Sequence, residues 1–259
     1  ISEGESETIV NDYSNYNNDG TINSATWNNN GKFNKALEFD GINDNVEILD
    51  SSNLYTNIIT IEAWINPRSA STHFYVIGKS TSSQGGKEYW LQRNSESSIQ
   101  EFNRTISFYI SYDGQDICNV LSYSGIEEDK WYHIAGTYDG NTLKVYVNGI
   151  EENIASCNKP IYNTFTPITI GSDANLGYLF NGKIDHVVIY NLALNSSELY
   201  NHYKRGFAYV NNGYYTSKIF DFNQVNPDIT TLNWNSYILD PLKQNIKLLQ
   251  SNFCDKLRI

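Results

Sequence analysis

Residues 131–149, Trp-Tyr-His-Ile-Ala-Gly-Thr-Tyr-Asp-Gly-Asn-Thr-Leu-Lys-Val-Tyr-Val-Asn-Gly, constrain the fold more than any other stretch of this chain. Residues 131 to 138 and 143 to 147 alternate apolar with polar side chains. Successive side chains of a strand point to opposite faces, so this alternation defines two half-buried strands. Asp139-Gly140-Asn141 lies between them, a turn signal that calls for positive φ, and Asn148-Gly149 follows as a second one. Two strands punctuated in this way make a meander of an antiparallel sheet, and none of their residues forms a catalytic pattern.

The same grammar recurs on both sides. Lys32 to Asp40 and Val46 to Ile48 flank the Asp40-Gly41 turn, and Ile59 to Ile65 alternates around Trp64 until Pro67, which cannot donate to a central ladder. Strands are expected at Phe74 to Gly78, Glu88 to Arg93, Ile106 to Tyr112, Cys118 to Tyr123, Ile168 to Ile170 and Gly182 to Tyr190. Leu194 to Tyr203 is the one expected helix. Asn195 caps it, Glu198 stands three residues on as in a capping box, and Leu199 with Tyr203 forms an apolar i, i+4 pair. Residues 1–31, rich in Asn, Ser, Gly and Asp, are expected to be a long loop with room for one edge strand. These elements give an all-β fold, a two-sheet antiparallel jelly-roll β-sandwich with one short helix. After Arg205-Gly206 the character changes: Tyr214 to Phe222 and Thr230 to Trp234 read as further strands. The expected division is a sandwich over 1–206 and a small C-terminal β extension or partial second β module over 207–259.

Charge and hydropathy exclude several partners. Asp and Glu outnumber Lys and Arg by 29 to 18, a net charge of -11, so neither nucleic acid nor an anionic membrane surface is an expected partner, because phosphate binding needs clustered cations. No run approaches the ~20 apolar residues of a membrane span. The chain begins at Ile1 and contains no Met, which reads as a processed form of the kind secretion leaves. Cys118, Cys157 and Cys254 allow one disulfide and one thiol, with Cys118–Cys157 flanking the central hairpin; three free thiols remain the alternative. Asn103-Arg-Thr and Asn195-Ser-Ser are glycosylation sequons, of weight only in a secretory route.

Six motifs stand in order: Asp12-Tyr-Ser-Asn15; Gly31-Lys-Phe with Ala36-Leu-Glu-Phe-Asp-Gly41; Ile61-Glu-Ala-Trp-Ile65; Trp131 to Gly140; Val145-Tyr-Val-Asn-Gly149; and Asn181-Gly-Lys-Ile-Asp-His-Val-Val-Ile-Tyr-Asn191-Leu-Ala-Leu. Together they resemble the concanavalin A-like, laminin-G-like jelly-roll domains of secreted bacterial and archaeal cell-surface proteins, over roughly residues 5 to 205. The resemblance implies two packed antiparallel sheets, often one calcium ion, and a binding or adhesive role. Such a fold does not decide function, because related sandwiches also carry glycosidases and lyases.

Calcium takes six to eight oxygen ligands, and the stretch Asn11 to Gly20 is rich in them. Asn15, Asn17, Asp19 and Gly20 mimic half an EF-hand loop, but Thr26 stands where its final Glu belongs and no helices flank it. In the family that this chain resembles, calcium joins the N-terminal loop to an acid of the last strand, positions matched by Asp12 and Asp185. Asp12, Asn17 and Asp185 are therefore the expected calcium ligands, the alternative being that Asp185 pairs with a backbone N–H or a lysine. Catalysis is not expected. Glu127-Glu-Asp129 lacks the second acid of a glycosidase, and His73, His133, His186 and His202 show no triad or metal-protease spacing.

A sugar site on a sandwich uses an exposed aromatic platform beside amides and hydroxyls. Trp64 and Trp131 lie in framework motifs and are expected in the core. Tyr75, Tyr89, Trp90, Tyr112 and Tyr178, near loops, are the ligand-binding candidates, with strand packing as the competing role. Two functions follow. One is an extracellular, non-catalytic, calcium-stabilised structural or adhesive module of a cell-surface assembly or filament, contacting a glycan, a protein or other copies of itself. The other is a carbohydrate-binding module attached to a glycan-active enzyme.

Overall fold

The computed structural model describes residues 8–68, 73–83, 85–94 and 104–208, with Lys256–Arg258 as backbone. In chain order the strands are β1 (Ile9–Val10), β2 (Gly20–Asn23), β3 (Thr26–Asn28), β4 (Ala36–Asp40), β5 (Asn45–Ile48), β6 (Ile59–Pro67), β7 (Phe74–Lys79) and β8 (Tyr89–Arg93). They continue with β9 (Thr105–Ser111), β10 (Ile117–Gly125), β11 (Tyr132–Tyr138), β12 (Thr142–Val147), β13 (Ile150–Ser156), β14 (Ile168–Ile170), β15 (Asn181–Tyr190) and β16 (Lys256–Arg258). The helix α1 spans Ser196–Ala208.

Every pairing among the described strands is antiparallel, between hairpin neighbours such as β11 and β12 and across crossovers such as β6 and β15. The first sheet runs β1-β2-β5-β14-β7-β8-β9-β10; the second runs β13-β12-β11-β6-β15-β4-β3, with β16 paired on β15. The sheets bury one shared core, in which Phe39, Val46, Ile61, Phe74, Leu91 and Phe108 are among the enclosed side chains. Alternate residues therefore point away from it, and these outward rows define the surfaces available for function.

The central hairpin forms as its alternation requires. Asp139 Oδ1 accepts the N–H groups of Asn141 (2.9 Å) and Thr142 (2.7 Å), and Gly140 adopts φ 95°. Asn148 and Gly149 follow with φ 53° and 74°, turning the chain into β13. At the far side of the sandwich β10 and β13 are the last strands of their sheets, and a disulfide between Cys118 and Cys157 joins the two. Glu152 covers part of the β10 edge, its Oε2 accepting from the N–H of Tyr123 (2.8 Å) and Ser124 (2.7 Å).

Three expectations need correction. Residues 8–31 hold three short strands, not one; each has too few alternating residues to announce itself, and β2 and β3 are formed by pairing with β5 and β4. Trp64 is buried, but outside the sandwich interior: α1 lies across the outer face of the second sheet, and Tyr203 stacks on the Trp64 ring at 5.8 Å while Lys32 Nζ stands 4.2 Å above it. Tyr146 joins this second cluster beneath the helix, with Val188, Tyr190 and Leu199, and Trp131 is only half-buried. The helix itself carries the expected capping box, with Glu198 N–H donating to Asn195 Oδ1 (3.0 Å) and Asn195 N–H to Glu198 Oε2 (2.8 Å). The proposed extension over 207–259 lies outside the described residues apart from the last residues of α1 and β16.

Candidate functional site

The outer face of the first sheet carries an aromatic row. Tyr75 on β7, Trp90 on β8 and Tyr109 on β9 each sit between two residues that enter the core, so all three project outward. The register sets Trp90 directly opposite Tyr109, and their rings stack at 4.7 Å with an interplanar angle of 2°. Tyr75 stacks on the other side of Trp90 at 5.9 Å and 9°, and Tyr178, from the loop after β14, stacks on Tyr75 at 5.4 Å and 19°. His73 packs against Tyr178 at 4.5 Å, and its burial keeps the imidazole below its usual pKa, so it meets the row as a neutral ring.

Amides and hydroxyls run alongside. Trp90 Nε1–H donates to Gln92 Oε1 (2.7 Å), Gln92 Nε2 to Asn94 Oδ1 (3.1 Å) and to the Tyr109 hydroxyl (3.2 Å), and Asn94 Nδ2 to Ser107 Oγ (2.7 Å) and Thr105 Oγ1 (2.9 Å). This network locks the Trp90 and Tyr109 rings in place. The rings in the middle of the row are sheltered by their neighbours: Tyr75 is 5% exposed and Trp90 4%, whereas Tyr178 is 45% exposed and Tyr109 is half-buried. Open aromatic surface therefore lies at the two ends.

Of the five aromatic candidates, three come together here. Tyr89 does not: its ring is fully enclosed in the core, because β8 turns it to the face opposite Trp90. Tyr112 lies in the β9–β10 turn, half-buried, with Lys159 Nζ 5.2 Å from its ring centre. Tyr109 is the member that sequence reasoning missed. Its signal was the register, since β8 and β9 bring positions 90 and 109 side by side only once they pair.

Of the expected calcium ligands, Asp12 and Asp185 already accept backbone N–H groups of the protein. Asp12 closes its own loop, accepting from Ser14 N–H (2.8 Å), Ser14 Oγ (2.6 Å) and Asn18 N–H (2.9 Å). Asn17 is exposed and turns the chain at φ 54°. Asp185 sits where β15 bulges, with His186 at φ 50°, and its Oδ2 accepts Phe33 N–H at 2.8 Å. Burial raises the Asp185 carboxyl above its usual range, opposed by backbone N–H groups of Phe33, His186 and Lys32. No cluster of three or more His, Cys, Asp or Glu suited to a metal occurs among the described residues.

One carboxylate does meet two histidines, beneath α1. Glu62 Oε2 lies 3.1 Å from His133 Nε2, Glu62 Oε1 lies 3.0 Å from His202 Nδ1, and Tyr190 donates its hydroxyl to Glu62 Oε1 at 2.9 Å. Glu62 is 1% exposed and lies beneath the helix, so it joins helix to sheet.

Two antiparallel sheets packed around one shared core make a β-sandwich of the concanavalin A type. The chain belongs to that class: residues 40–199, more than half of it, match the family model Laminin_G_3, the concanavalin A-like lectin/glucanases superfamily. Among curated proteins it is similar to pappalysin-1 of Mus musculus, 23% identical over 181 residues that cover 64% of this chain and 11% of that protein. The chain thus spans about a tenth of the length of that relative. Among solved structures it resembles the binding domain of Paraclostridial Mosquitocidal Protein 1, with a TM-score of 0.60 and 15% identity, covering 77% of this chain and 52% of that one. It also resembles domain 4 of AbnA, an extracellular arabinanase of Geobacillus stearothermophilus, solved with arabinotriose, with a TM-score of 0.57 and 19% identity over 76% of this chain and 98% of that domain.

Proposed function

We propose that the chain is a non-catalytic carbohydrate-binding module of a secreted or cell-surface protein. The observation that carries this reading is the aromatic surface left open at Tyr178 and Tyr109, the two ends of the row that Tyr75 and Trp90 hold together. A sugar presents apolar C–H faces to a ring and hydroxyls to amides, and a platform already locked by its own hydrogen bonds loses little entropy on binding. Support comes from the arabinotriose held by the domain of similar fold. The non-catalytic reading rests on the burial of Glu62 with its histidines and on Glu127, an exposed acid paired with Lys130 in a loop.

The adhesive or filament reading rests on the acidic, Asn-rich composition and on strands expected at 207–234, which lie outside the described residues; the open aromatic ends of the row favour the carbohydrate module. A secreted location accords with the Cys118–Cys157 disulfide. No helix among the described residues is long and apolar enough to cross a membrane.

A glycan array followed by calorimetry on the best ligands tests this. Tyr178→Ala and Tyr109→Ala, at the open ends of the row, are expected to weaken binding about tenfold or more, in the range of a lost aromatic contact. A blank array from folded protein would sink the proposal.

A further inference from the structure

A second, separate concavity opens at the rim of the sandwich, where the β7–β8 loop meets the loops on either side of β14. It encloses about 370 Å³ and is lined by Thr81, Tyr162, Asn163, Phe165, Thr166 and Asn175, among others. That volume falls at the small end of ligand sites, which run roughly 300–1,000 Å³. Its lining contains hydroxyls, amides and aromatic rings and no charged side chain. Phe165 is 90% exposed, so its ring faces water with almost no packing to explain its position. The side chain of Asn163 is exposed and makes no hydrogen bond among the described residues.

The loops that form this concavity are held by buried charges. Lys79 Nζ, completely enclosed, reaches Glu88 Oε2, Asp50 Oδ1 and the carbonyl of Thr164, each at 2.8 Å. Glu88 Oε2 in turn accepts from Thr164 N–H (2.8 Å) and Thr164 Oγ1 (3.0 Å), fixing the residue beside Phe165. Asp173, also enclosed, accepts from the N–H groups of Ser82 (3.1 Å), Asn175 (3.0 Å) and Gly177 (2.6 Å), stapling two rim loops together. Buried ion pairs add little net stability because desolvation offsets their attraction, but they impose one geometry. Here that geometry holds an exposed phenyl ring at a rim whose lining is neutral. The loop stapled by Asp173 also carries Tyr178, so one segment reaches both the concavity and the aromatic row.

We infer that this rim concavity is a second sugar subsite, which seats a neutral pyranose or furanose ring against Phe165 with its hydroxyls on Asn163, Asn175 and Thr166. It selects against anionic sugars, because the lining offers no cation and the chain as a whole carries -11. The inference rests on the carbohydrate-binding reading above and adds to it a second point of contact and a charge preference.

The test is titration calorimetry with neutral pentose and hexose trisaccharides, arabinotriose among them, and their uronic-acid counterparts. Proteins are wild type, Phe165→Ala, Asn163→Ala and Tyr178→Ala. Phe165 and Asn163 are exposed, so their variants keep the wild-type melting temperature. The expected result is a loss of about tenfold or more in affinity for a neutral trisaccharide with Phe165→Ala, a smaller loss with Asn163→Ala, and weaker binding of the uronic-acid series. Wild-type affinity in both rim variants together with loss in Tyr178→Ala overturns the rim subsite and leaves the carbohydrate module standing. Equal or tighter binding of the acidic sugars overturns the charge preference and with it the subsite. Failure of every trisaccharide to bind wild type overturns both.

Discussion

Glu62 on β6, 1% exposed, and His202 on α1, with 17% of its side chain exposed, face one another at 3.0 Å beneath the helix. Burial alone would raise the Glu62 carboxyl, but hydrogen bonds from His133 and His202 and their charges hold it well below the usual carboxylate range. A carboxyl depressed in the fold stabilises the protein fully above its unfolded value, ~4.3, and loses that contribution as pH falls toward the folded value. Glu62→Gln is therefore expected to cost about 1.5–3 kcal/mol at pH 7, the scale of hydrogen bonds to a charged group. The gap to wild type should narrow below about pH 4. Denaturant titrations at pH 7 and pH 3.5 check this, and a gap that widens in acid would contradict it.

Gly206, on α1, faces the ring of Trp64: a Cβ there would lie 2.2 Å from Cζ2. Helix propensity alone favours alanine over glycine by ~1 kcal/mol. Overpacking against a ring pinned by Tyr203 and Lys32 costs ~1–3 kcal/mol. Sterics should win, so Gly206→Ala is expected to lower the melting temperature and to alter the tryptophan fluorescence. A higher melting temperature would show that the helix seats more loosely.

The Cys118–Cys157 disulfide closes a loop of 39 residues between the end strands of the two sheets. Chain entropy puts its contribution at ~4 kcal/mol for a loop of this size. Cys157→Ser, or wild type under reductant, should unfold at distinctly lower denaturant concentration. An unchanged midpoint would mean that the edge is held by Glu152 and the core alone.

Asp185 receives backbone N–H groups from the 32–33 turn and from its own bulge. Asp185→Ala leaves those donors unpaired, at ~1–3 kcal/mol. The same loss is expected in calcium and in chelator. A calcium-dependent rise in melting temperature that disappears in Asp185→Ala would instead make calcium the partner of this residue.

Much of the framework was legible in the residues. Alternation and glycine turns located β11 and β12, and the Asn195–Glu198 pair located the start of α1, because these signals act within a few residues of chain. Burial of Tyr89 against outward projection of Trp90 was not legible, since both are large aromatics and only the orientation of β8 tells them apart. The apolar interruption at Asp185-His186 read as a metal ligand, with pairing to a backbone N–H or a lysine as the alternative; the bulge and the Phe33 N–H contact needed the tertiary structure to appear.

The sequence by itself determined an antiparallel sandwich, its turns and its capped helix, since periodicity and turn chemistry are local. Only the tertiary structure decided that Trp64 belongs beneath the helix, that Tyr75, Trp90, Tyr109 and Tyr178 form one row, and that Lys79, Glu88 and Asp173 brace the rim around Phe165. Those contacts join residues far apart in the chain, and their side chains meet only after strand register has fixed which face each one occupies.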